Sequence, residues 1–142
     1  MILACLASCK DEEKEALAAL MTEIRDDYAQ ERDSDCLVAI DTLRARYPQA
    51  VAERKEALAI FQNASLRIAQ RDLARTDSAL EVAKARYAEM QRTVGAHKAE
   101  GNATAAELTA LTMQRMHRDS LQVHFDMLCA KIKYIHKRQK QL

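Results

Sequence analysis

Only three residues in this chain are glycine or proline: Pro48, Gly95 and Gly101. That scarcity excludes most folds. Hairpins and the tight corners of sandwiches and barrels draw on glycine, proline and asparagine for backbone conformations that other residues resist. The chain is therefore expected to be all-α, with few and long helices. Of the 142 residues 49% are hydrophobic, but much of that share is alanine, and only Phe61, Phe125 and four tyrosines supply aromatic rings. Such a chain lacks the bulk for a thick globular core but suits thin helix-on-helix packing. No apolar run approaches the roughly 18 residues that would span a bilayer.

The apolar spacing divides the chain. Leu17, Leu20, Ile24 and Tyr28 recur at three- and four-residue steps, which predicts an amphipathic helix over about 11–30. After a polar stretch at 31–35, Ser34 is the expected N-cap of a second helix, whose apolar face is Cys36, Leu37, Ile40, Leu43 and Tyr47 and which Pro48 stops. A third helix is expected to start at Pro48, a residue suited to a helix N-terminus, and to run to about Val94. Its seam is Leu66, Leu73, Leu80, Tyr87 and Val94, alternating with Ala69, Thr76, Ala83 and Met90, the repeat of a left-handed coiled coil. Residues 95–102 supply the break, with Gly95 opening it. Thr104-Ala105-Ala106-Glu107 then matches a capping box for a last helix with the seam Leu121, Phe125, Leu128, Ile132 and Ile135. So short a connection near Gly101 makes the last two helices antiparallel neighbours. At about 1.5 Å per residue the third helix is roughly 70 Å long and the last roughly 50 Å. The start of the third, with Val51, Leu58 and Phe61, must then be buried by the N-terminal pair. The expected organisation is a leader remnant and lipobox at 1–9, a helical hairpin at 10–48 and a long antiparallel hairpin at 49–142 with its turn near 95–103.

The N-terminus carries an address. Leu6-Ala7-Ser8-Cys9 is the pattern read by a lipoprotein signal peptidase, so Cys9 is expected to become the lipidated first residue of the mature protein and its only membrane anchor. The run ahead of it is short and has no Lys or Arg, so residues 1–7 also read as the start of a cytosolic helix with Asp11, Glu12 and Glu13 near its positive end. The acidic residues that follow Lys10 weigh for the lipoprotein. Cys9-Lys10-Asp11-Glu12 resembles the surface-export signal of lipoproteins from Bacteroidota-type Gram-negative bacteria, which implies the outer membrane, in its inner or its outer leaflet. Removal of Cys5 and acylation of Cys9 leave Cys36 and Cys129, both on apolar helix faces and expected as free thiols.

Met21, Ile24, Tyr28, Cys36, Ile40, Leu43 and Pro48 make the first hairpin similar to a tetratricopeptide-type repeat, with Arg25 standing where such a repeat has a small residue. One copy is visible, so the third helix is expected to serve as its neighbour. Most of the chain resembles a group of small lipoproteins of Bacteroidota-type bacteria with no assigned function. Besides the start, the likeness rests on the segment from Ile40 to Pro48, on Thr76-Asp77-Ser78-Ala79-Leu80, on Asp119-Ser120-Leu121-Gln122-Val123 and on the segment from Cys129 to Lys137. It implies location and architecture but no mechanism.

Charge is uneven. Residues 1–47 hold six Lys and Arg against eleven Asp and Glu, and the remainder sixteen against ten. No acid follows Asp126, whereas Lys131, Lys133, Lys137, Arg138 and Lys140 fall around Tyr134 and His136. These cations read as a solvated helix C-terminus favoured by the helix dipole, or as an anion-binding tip for phosphorylated glycolipid, anionic polymer or an acidic protein. Nucleic acid is not the expected partner, since no recognised binding fold accompanies them. His117 and His124 stand seven residues apart and lack the i, i+4 spacing of a helical metal pair, Met113 and Met116 read as packing residues, and Asp119-Ser120 comes with no oxyanion-hole element. No catalytic residue, metal, cofactor or small-molecule substrate is therefore expected. The expected role is a non-enzymatic envelope lipoprotein that holds a protein partner or self-associates; the alternative is a cytosolic coiled-coil adaptor with a coincidental lipobox.

Overall fold

A computed structural model describes residues 5–141, with side chains from residue 11 onward. It is all-α: the described residues form α1 (Cys5–Ala29), α2 (Asp33–Arg46), α3 (Val51–Ala99) and α4 (Ala105–Gln139), with no strand among them. Two compact units divide the chain, Met1–Ile68 with Ile135–Leu142, and Ala69–Tyr134.

In the first unit α1 and α2 form a hairpin whose core is Met21, Ile24, Cys36, Ala39, Ile40 and Leu43. Ala57, Ile60 and Phe61 of α3 close it, so the third helix covers the open face of the hairpin. Arg25 reaches across to α3, where Nε and Nη2 donate to the two Glu56 carboxylate oxygens at 2.7 and 2.9 Å, and these hydrogen bonds, helped by its charge, hold the Glu56 carboxyl below the usual range. Arg44 lies 4.3 Å over the Phe61 ring. Val51 departs from expectation: it is 74% exposed, because the N-terminal pair covers α3 only from Ala57 inward.

The turn between α1 and α2 is held by charge. Asp27, buried near the C-terminus of α1 where a helix dipole disfavours an acid, accepts from Nε of Arg32 at 3.0 Å. Asp33 opens α2, where the dipole favours it; its side chain is wholly buried. Arg67 of α3 donates from Nε to Asp33 at 3.0 Å and from Nη2 to the Tyr28 carbonyl at 2.9 Å, with its guanidinium 4.3 Å over the Tyr28 ring. Burial works against the Arg67 charge, yet the Asp33 hydrogen bond and charge hold its pKa above the ordinary value. Ser34 is not the cap: Arg32 occupies that position without a side-chain bond, and α2 begins one residue before Ser34.

Glu31 sits at φ +56°, with Arg32 N–H donating to the Asp27 carbonyl at 2.9 Å and Glu31 N–H to that of Tyr28 at 3.2 Å. These paired bonds end α1 as glycine usually ends a helix. A side chain there costs roughly 1–2 kcal/mol, and the extra freedom of unfolded glycine offsets about half of it. Glu31→Gly is expected to raise the urea midpoint, for a gain of about 0.5–1 kcal/mol; a lower midpoint would mean that the glutamate contributes more than its backbone strain costs.

Two expected boundaries shift. Pro48 lies in the turn before α3 instead of opening the helix, and its carbonyl accepts from Arg54 Nη1 at 2.7 Å. Gly95 does not break α3, which continues to Ala99. An interior glycine costs only about 1 kcal/mol, too little to end so long a helix. Gly101, at φ +72°, ends it: Asn102 N–H donates to the His97 carbonyl and Gly101 N–H to that of Lys98, at 2.9 and 3.1 Å.

The second unit is an antiparallel hairpin of α3 and α4. Ala69, Thr76, Leu80, Ala83 and Val94 are buried and Leu73, Tyr87 and Met90 half-buried, as the seam predicts. Leu128 is buried and Leu121, Phe125 and Ile132 half-buried on the facing side of α4. The capping box forms as expected. Glu107 N–H donates to Thr104 Oγ1 at 3.2 Å and Thr104 N–H to Glu107 Oε2 at 2.8 Å, while His97 Nδ1 lies 2.7 Å from Glu107 Oε1. The Thr104 bonds, backbone first, and then His97 lower the Glu107 pKa.

Candidate functional site

A helix with one partner should keep one apolar stripe, under that partner, and be polar elsewhere. In the second unit α4 has two. Opposite its buried seam, Met113, Met116, Val123, Met127 and Tyr134 are 58–64% exposed. Ser120 and Ala130, also exposed, fill the gaps, so that 113, 116, 120, 123, 127, 130 and 134 step by three and four throughout. That is the a/d pattern of a coiled-coil seam with no helix on it among the described residues. Met113 and Met116, expected as packing residues, are thus corrected: they face solvent because α3 covers the other side of α4.

Charged positions border the stripe. His117, His124 and Lys131 line one edge, and Asp119, Asp126 and Lys133 the other, all exposed. Asp126 accepts from Gln122 Nε2 at 3.1 Å, and Asp119 from Arg118 Nε at 2.9 Å. Arg118 also stacks 4.3 Å over the Tyr87 ring, tying this edge to α3.

The other sequence candidates fall as follows. Cys9 lies within the range of α1, but its side chain is outside the described residues. Lys131, Lys133, Lys137 and Arg138 are exposed toward the C-terminus of α4 and Lys140 just beyond it; the helix dipole favours the cations of the last turn, Lys137 and Arg138, and Arg138 Nη1 donates to Gln141 Oε1 at 3.3 Å. His117 and His124 are exposed, and the described residues contain no group of three His, Cys, Asp or Glu placed to hold a metal. Asp119 is engaged by Arg118, and Ser120 belongs to the outward stripe. Cys36 and Cys129 are free thiols, the first buried and the second half-buried. Burial, then the charges of Asp27 and Asp33, push the Cys36 pKa up, and its Sγ lies 3.5 Å from the Ile24 carbonyl, so this thiol packs rather than reacts.

A groove of about 340 Å³ near the hairpin turn is lined by Arg86, Glu89, Met90, Thr93 and Glu107, but its one engaged carboxylate, Glu107, serves the capping box. Among the described residues no helix is long and apolar enough to cross a membrane. No family model, curated protein or solved structure matches the chain.

Proposed function

We propose that this protein is a non-enzymatic interaction module of the cell envelope, held at a membrane through a lipidated Cys9, which binds a protein helix along the outward face of α4. The observation that supports the binding role is the exposed stripe from Met113 to Tyr134. Large apolar side chains repeated on one face for about 33 Å have no reason to persist in water on a helix already packed on its other side. Methionine suits such a face because its flexible thioether adapts to varied partners. The support for location is the lipobox and the acidic residues behind it.

Site-specific photocrosslinking in cells tests both parts. A photoreactive residue at Val123 is expected to give a discrete adduct, and one at the exposed Glu89 of α3 none. The wild-type chain should fractionate with membranes and Cys9→Ser with the soluble fraction. Absence of an adduct from Val123 would remove the binding role, and equal fractionation of the two chains would remove the anchor.

A further inference from the structure

Building on the interaction reading of the same face, we infer that its partner is a second copy of this chain, paired parallel and in register along α4 from Met113 to Tyr134, a stretch wholly within the second unit. Placed in heptads, Met113, Ser120, Met127 and Tyr134 take the a positions, and Met116, Val123 and Ala130 the d positions. In a parallel dimer each meets its own equivalent. Seven consecutive layers then cover every large exposed apolar side chain between 113 and 134.

Charge chooses the orientation. In the parallel register a g residue meets the e residue five positions on in the partner. Asp126 then faces the partner's Lys131, and Asp119 the partner's His124; two-fold symmetry repeats each pair. The remaining pair inside the stripe, Thr112 with the partner's His117, carries no opposed like charges. The antiparallel arrangement that pairs a with d over 113–130 sets Asp119 against the partner's Asp126, acid on acid, sets His117 against the partner's His124, and leaves Tyr134 without an apolar layer. The parallel register matches all seven apolar layers and opposes no like charges between Met113 and Tyr134. The stripe also ends where that logic fails: beyond Tyr134 the next pair would be Lys133 with the partner's Arg138, and position 137, next in the repeat, is lysine.

A charge exchange between chains provides the test. The full chain carrying Cys9→Ser, so that it stays in solution, would be followed by sedimentation equilibrium from micromolar to sub-millimolar concentration, with circular dichroism as the check on folding. A reversible monomer–dimer equilibrium is expected. Asp126→Lys places lysine against lysine at two symmetry-related sites, and Lys131→Asp places acid against acid. Each is expected to weaken the dimer about tenfold, less at high salt, without changing helicity because both residues are exposed. An equimolar mixture of the two variants recreates both attractive pairs and should dimerise as tightly as the parent. Met127→Asp should leave a folded monomer. A parent that stays monomeric at every concentration overturns self-pairing, while a Val123 adduct of another mass would still uphold an interaction surface. A dimer indifferent to Asp126→Lys, or a mixture no tighter than its components, overturns the parallel register.

Discussion

Replacing Arg67 by Met is expected to destabilise the protein by about 1.5–3 kcal/mol, the worth of hydrogen bonds to a buried charged group. Asp33 is wholly buried, and Arg67 meets its carboxylate while also binding the Tyr28 carbonyl and covering the Tyr28 ring. Methionine retains the stem of the side chain but removes the guanidinium. Urea titration of the variant beside the parent measures the loss. A loss under about 1 kcal/mol at neutral pH would show that water or other groups satisfy Asp33 without Arg67.

Leu80→Ala and Leu128→Ala are each expected to cost about 2–5 kcal/mol through lost burial and a residual cavity. They stand at 2% and 7% exposure on the facing seams of α3 and α4. Lys140→Ala, at the exposed end of the chain, should stay within about 0.5 kcal/mol of the parent. Chemical denaturation distinguishes these outcomes, and small losses at both leucines would mean that the two seams do not face each other.

The helical class and the buried seam of α3 were legible because they depend on local chemistry. Long runs without glycine or proline have few alternatives to helix, and a strict three-four repeat from Leu66 to Val94 places one face inward whatever the partner. The capping box at Thr104 was legible for the same reason, since both members lie within one turn. Gly95 and Gly101 were harder to separate. Both are candidate breakers, but only Gly101 coincides with a closing set of carbonyls, and that depends on where the helix reaches rather than on the residue.

Patterning alone determined that α4 is amphipathic and picked out the seam Leu121, Phe125, Leu128 and Ile132; it did not show that the second stripe, with Met113 and Met116, would face solvent. The spacing 121, 125, 128, 132 and the spacing 116, 123, 127, 134 are equally regular in the sequence. Only the hairpin with α3, which can cover one side of a cylinder, decided that Leu128 is buried and Met127 exposed. The Arg67–Asp33 pair was likewise invisible, because its members are 34 residues apart and each alone reads as an ordinary surface charge. The sequence by itself therefore determined the helices and their periodicity, which arise from interactions within a few residues. The tertiary structure decided which faces meet and which buried charges are paired, because both depend on groups that only the folded chain brings together.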